Sequence, residues 1–115
     1  MNMRVIVLER DPLFRRFLHR ALTAMGHGAV AAGDGRELLE AAAREKECIV
    51  LLDLYAPAGW EMDACARLRE VRPDARVVAL FGDADGARLA REAGAARKLS
   101  KPFDLQELRG ALGAF

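Results

Sequence analysis

Apolar positions fall into two alternating rhythms along this chain. Met3 to Leu8, Cys48 to Leu52 and Arg76 to Phe81 are short, nearly continuous apolar runs rich in Val, Ile and Leu. Such runs predict strands covered on both faces. Between them, apolar residues recur at helical spacing, first as Phe14, Phe17, Leu18, Ala21 and Met25. Asp11-Pro12 opens that helix, with Asp as N-cap and Pro where its missing N–H costs nothing, and Gly26 stops it. A short, weak strand follows near His27 to Ala32. Asp34 with Glu37 predicts a capping box that starts a helix through Leu38, Leu39 and Ala42 to about Glu45. After the second strong run, a loop through Pro57 and Gly59 leads to a helix carrying Met62, Cys65 and Leu68 that stops before Pro73. A fourth helix spans about Asp85 to Ala93, closed by Gly94. A marginal strand at Ala96 to Leu99 precedes Ser100-Lys101-Pro102-Phe103. Asp104 with Glu107 then opens the last helix, through Leu108 and Leu112. Five strand-then-helix units imply an α/β fold: a parallel sheet with right-handed crossovers and helices on both faces.

Composition narrows the function classes. The 115 residues suffice for one domain with a proper core, and the whole chain, 1–115, is read as one. The apolar and charged fractions, 52% and 30%, describe a globular chain, not a disordered one. A net charge of +1 steers the molecule to neither nucleic acid nor anionic membrane. The 15 Arg against 3 Lys, beside 22 Ala, read as genome composition and not as a binding surface. No apolar stretch approaches the roughly 20 residues of a membrane span, and no leader pattern is present, so a cytoplasmic location is expected. Cys48 and Cys65 lack metal-ligand spacing and read as buried thiols. His19 and His27 have no partner that would make either a ligand or a base.

Asp53 is the most informative position. It closes the strongest strand, four residues before Pro57, where open α/β sheets place their chemistry, in the crevice outside the strand ends. The plainer alternative is an Asp that polarises a turn. Two further motifs follow other strands: Glu9-Arg10-Asp11-Pro12 after the first, and Lys101-Pro102-Phe103 after the fifth.

Together, in this order and spacing, the three motifs resemble the response-regulator receiver domain of two-component signalling, over Val5 to Leu112. The resemblance implies a flavodoxin-like doubly wound sheet in the order 2-1-3-4-5, with two helices on one face and three on the other. It implies Asp53 as the acceptor of a phosphoryl group from a histidine kinase, and Lys101 as the contact to that phosphate. Glu9 and Arg10 occupy the two places of the metal-holding acid pair, and Tyr55 the place that lends a backbone carbonyl to the metal. The switch positions depart from the family: Phe81 stands where a small hydroxyl residue is usual, and Lys98 where an aromatic is. The loop after Asp53 is about two residues short if Gly59-Trp60-Glu61 starts the third helix.

Charge weighs these departures. Glu9 and Asp53 contribute −2, Arg10 and Lys101 +2, so the formal site charge is zero. Mg2+ needs oxygen ligands with one or two direct carboxylates, whereas an Arg guanidinium forks onto a carboxylate itself. Near a surface such a pair at about 4 Å attracts by roughly 4 kcal/mol before desolvation. Arg10 is therefore expected to point at Asp53 in place of the cation, leaving Mg2+ at Glu9, Asp53 and Tyr55 weak or absent. The alternative turns Arg10 outward and leaves Glu9 with Asp53 to bind Mg2+ weakly.

The reading that follows is an atypical receiver, not an enzyme, signalling by protein contact. Its partner is a histidine kinase or downstream protein, with dimerisation through the fourth-helix, fifth-strand, fifth-helix face, made basic by Arg88, Arg91, Arg97 and Lys98. An active phosphoacceptor is the first alternative. A small flavodoxin-like ligand-binding protein is the second, disfavoured by the lack of a Gly-rich phosphate loop after the first strand. Gly82 to Gly86 lacks the downstream Glu of a calcium loop and reads as a turn.

Overall fold

A computed structural model describes residues 3–54 and 59–113. Tyr55 and Pro57 lie outside the described residues. The elements run β1 (Arg4–Leu8), α1 (Pro12–Ala24), β2 (Gly28–Ala32), α2 (Gly35–Arg44), β3 (Ile49–Asp53), α3 (Gly59–Val71), β4 (Arg76–Phe81), α4 (Ala84–Glu92), β5 (Arg97–Ser100) and α5 (Leu105–Leu112). The five strands form one sheet in the order β2-β1-β3-β4-β5, every neighbouring pair parallel. This is the expected architecture.

Both faces of the sheet are dry. Val5, Val7, Ile49, Leu51, Val78 and Leu80 face α1 and α5, meeting Leu18, Leu22, Leu108 and Leu112. Ile6, Leu8, Val50, Leu52 and Ala79 face α2, α3 and α4, meeting Leu38, Leu68 and Leu89. Two helices thus cover one side and three the other. All five residues of β3 are buried, which is why its run reads as unbroken apolar sequence up to Asp53.

Local signals set the element ends. The Asp11 carboxylate accepts the Leu13 N–H at 3.0 Å, with Pro12 at the first helical position. Gly26 takes φ of 88°, the left-handed turn that ends the run after α1. Asp104 and Glu107 form a full reciprocal capping box. At α2 the box is displaced: Asp34 accepts the Glu37 N–H, but the Glu37 carboxylate accepts from Gly33 instead of the N-cap. Helix α4 starts at Ala84, one residue before the expected Asp85, because Asp83 is its cap, accepting the Gly86 N–H at 2.7 Å. That local capping accounts for Asp83 without a calcium loop. β5 sits one residue later than expected, at Arg97–Ser100, because its register on β4 runs from Arg97 opposite Val78 to Ser100 opposite Phe81.

Candidate functional site at the C-terminal edge of the sheet

Register brings three motifs to one corner. Leu8 lies opposite Leu52, so Glu9 leaves β1 level with Asp53 at the end of β3. Asp53 lies opposite Leu80, and Leu54 N–H donates to the Leu80 carbonyl at 2.8 Å, holding the strand end straight. On the other side Ser100 pairs with Phe81, and Lys101 N–H donates to the Phe81 carbonyl at 2.7 Å. Lys101 thereby leaves β5 with its side chain directed back across the sheet edge.

Its ammonium joins the two acids. Lys101 Nζ lies 2.8 Å from Asp53 Oδ1 and 3.4 Å from Glu9 Oε2. The shorter distance is that of a charge-assisted hydrogen bond. The Phe14 ring lies below the same ammonium, 4.3 Å away, within cation–π range. Asp53 and Glu9 are 7% and 3% exposed. Burial raises the Glu9 carboxyl above its ordinary range; the Asp11 backbone N–H and Lys101 pull it down, and Asp53 pushes it up. Glu9 Oε1 accepts that Asp11 N–H at 3.1 Å.

Arg10 does not join them, contrary to the expectation that it points at Asp53. Its Nη2 lies 3.1 Å from Glu61 Oε2, and its guanidinium sits 6.0 Å from the Trp60 ring centre. Glu61 is 2% exposed, and neither of its oxygens accepts a hydrogen bond. A charge that deeply buried is costly without a counter-charge, whereas Asp53 already has Lys101. Burial thus decides which carboxylate the Arg takes. The corner then holds Glu9, Asp53 and Lys101, a formal −1, and Arg10–Glu61 is a separate neutral pair.

Glu61 is the residue that sequence reasoning passed over, serving only to mark a helix start. Its signal was legible: Glu61, Ala64, Cys65 and Leu68 share one buried helical stripe. A carboxylate on such a stripe needs a cation, and the out-of-place Arg10 supplies it.

The two residues expected at switch positions lie on the strands foreseen for them. Phe81 ends β4 half-buried and Lys98 is exposed on β5. Among the described residues no three of His, Cys, Asp and Glu converge as a metal site. Two carboxylates, Glu9 and Asp53, fit the one or two that Mg2+ ordinarily takes directly from a protein. Beside Lys101 a shallow apolar groove of about 520 Å³ is lined by Phe14, Phe17, Gly82, Pro102 and Phe103. The rings pack at 5.6 Å (Phe14 and Phe17) and 5.8 Å (Phe14 and Phe103).

A family model described as "Response regulator receiver domain" matches residues 5–113. The chain belongs to the response-regulator receiver family. Among curated relatives it is 34% identical over 99% of its length to the response regulator MprA of Mycolicibacterium vanbaalenii, covering 50% of that protein. It is 25% identical over 97% to sporulation initiation phosphotransferase F of Bacillus subtilis, covering 92% of it. The receiver thus spans about half the length of the MprA relatives. Among solved structures, Vibrio cholerae chemotaxis protein CheY4 superposes with a TM-score of 0.82 at 20% identity, covering 97% of both chains. A Burkholderia pseudomallei response regulator described with a phosphorylated aspartic acid, a calcium ion and citrate superposes with a TM-score of 0.76. It is 30% identical over 98% of this chain and 66% of that one. The chain is a receiver domain of two-component signalling, and no described helix is long and apolar enough to cross a membrane.

Proposed function

We propose that this receiver is atypical: it signals through protein contact, with Asp53 a slow phosphoacceptor and Mg2+ held weakly by Glu9 and Asp53. The observation that carries this reading is the 2.8 Å contact of Lys101 with Asp53 in a corner holding two carboxylates instead of three. An Asp53 oxygen would attack the phosphorus of a phosphohistidine or of acetyl phosphate, expelling imidazole or acetate. Lys101 would neutralise charge gathering on the phosphoryl oxygens. With Arg10 on Glu61, Glu9, Asp53 and Lys101 keep a formal charge of −1, which favours residual phosphorylation over none. Phe81 has no hydrogen-bond donor and Lys98 no ring, so the usual relay from phosphate to β5 has no parts.

The test is phosphorylation by acetyl phosphate with and without millimolar Mg2+, read by intact mass. The expected outcome is slow, Mg2+-stimulated addition of one phosphoryl group, absent in Asp53→Asn. In cells Asp53→Asn is expected to leave output nearly intact. Loss of output equal to a deletion, with the variant folded, would instead establish an ordinary phosphorylation-dependent switch.

The proposed partner is a histidine kinase or a downstream signalling protein. The α4–β5–α5 face loses part of the basic character expected of it. Arg88 is paired with Asp85 and Glu92, and the Arg97 guanidinium donates to the Gly110, Ala111 and Gly113 carbonyls at the end of α5. Exposed Phe17 on α1 lines the Phe14–Phe103 groove instead, and exposed Leu13 and Leu105 neighbour Phe14 and Phe103 along the chain. That surface, beside Lys101, is the better docking candidate.

A further inference from the structure

We propose that Glu61 is a positioning residue for the acceptor corner: it holds Arg10 away from Asp53 and so leaves Lys101 as the cation on the acceptor. The inference rests on the reading of Asp53 as a phosphoacceptor and adds the residue that keeps its corner open.

The argument starts from chain geometry. Arg10 directly follows Glu9, whose carboxylate is 3.4 Å from the Lys101 ammonium. A long, flexible Arg side chain at that position has Asp53 and Glu61 as rival acids. A second guanidinium at Asp53 would bring the corner to zero charge and compete with any divalent cation. Glu61 decides the matter because it is the more deeply buried acid, 2% exposed against 7% for Asp53, and lacks any hydrogen-bond donor. Asp53 has Lys101, whereas the cation on Glu61 is Arg10. The Trp60 ring, 6.0 Å from the guanidinium, adds cation–π attraction on the same side. The pair ties the loop after β1 to the first turn of α3. An Arg in an acid's place is thereby made harmless to the acceptor by an acid on a helix stripe that would otherwise be apolar.

Two measurements test this on the intact chain. The first is guanidinium proton exchange by NMR in Arg-labelled protein. The Arg10 guanidinium is expected to exchange more slowly in the parent, where it lies 3.1 Å from Glu61, than in Glu61→Gln. The second is the rate of Asp53 phosphorylation by acetyl phosphate with Mg2+. Glu61→Gln should slow it about tenfold or more by releasing Arg10 towards Asp53, and adding Arg10→Gln should restore it. A merely structural role for Glu61 predicts no such rescue. Arg10 exchanging as fast in the parent as in Glu61→Gln, or a double variant phosphorylated as slowly as Glu61→Gln alone, would overturn the inference. If no variant is phosphorylated while Arg10 stays protected only in the presence of Glu61, the positioning role stands and the phosphoacceptor reading fails.

Discussion

One ammonium serves two buried acids in this receiver, and that sets the electrostatics of the corner. Lys101 lies 2.8 Å from Asp53 and 3.4 Å from Glu9. Burial holds the Glu9 carboxyl above its ordinary value in the folded chain. The folded state therefore binds that proton more tightly than the unfolded state. The resulting stability is fully present below the ordinary carboxyl value and is lost as pH rises through the raised one. Lys101 offsets part of this loss, so Lys101→Met should widen it. The expected result is a melting-temperature deficit relative to the parent that is larger near pH 7.5 than near pH 4. An equal deficit at both would show that Lys101 does not hold Glu9 ionised. Cys65, pushed up to about 11 by burial, is expected to resist a thiol reagent near pH 8 until the chain unfolds. At this scale the sequence was readable where a residue follows a strand end: Asp53, Glu9 and Lys101 meet as their motifs imply. Arg10 was misread because the competitor for it, Glu61, is brought near only by the packing of α3, which charge counting within the motifs does not include.

Helices and strands were legible to within one or two residues because caps and glycines mark their ends. The start of α4, expected at about Asp85 and found at Ala84, shows how fine that reading is. Asp83 and Asp85 are both plausible caps by residue type, and the choice falls to Asp83 because its carboxylate reaches the Gly86 N–H. Gly86 itself is needed for a reason no local rule contains. A Cβ there would lie 2.7 Å from the Leu54 carbonyl oxygen and 2.8 Å from Phe81 Cβ, so α4 packs directly on the ends of β3 and β4. Gly86→Ala is expected to cost about 1–3 kcal/mol, as overpacking does, and to slow Asp53 phosphorylation by shifting Leu54. Gly110→Ala is the contrasting case. Its added Cβ meets nothing within 4 Å, and the position is inside α5. That change should stabilise by up to about 1 kcal/mol, the helix-propensity difference. Urea midpoints for the two variants moving in the same direction would contradict this account.

Across the molecule, the alternation of strands and helices was enough to specify a three-layer sheet, because parallel strands buried on both faces leave few other arrangements. What covers the outside was less legible. Arginine counts along α4 and β5 suggested a basic docking face, but a count does not show that Arg88 spans two acids on its own helix and that Arg97 is spent on the end of α5. The exposed large apolar side chains are a better guide, since surface clusters of them mark contact sites. Phe17, 40% exposed, lines the groove that begins at Lys101, and Leu13 and Leu105, 74% and 48% exposed, lie within two residues of its lining residues Phe14 and Phe103 in sequence. On the proposed reading, a kinase that delivered a phosphoryl group to Asp53 would approach this same edge of the sheet. Leu13→Lys with Leu105→Lys is therefore expected to weaken binding to the cognate histidine kinase about tenfold or more, equivalent to about 1.4 kcal/mol, with the melting temperature little changed. Arg88→Glu with Arg91→Glu should alter it by less than about threefold. Because the contact is apolar, raising salt from about 0.1 M to about 0.5 M should leave it largely intact, unlike a pairing of exposed charges screened over about 10 Å or less. Binding that collapses with salt and with the arginine pair, while tolerating the two lysines, would move the docking site back to α4 and β5.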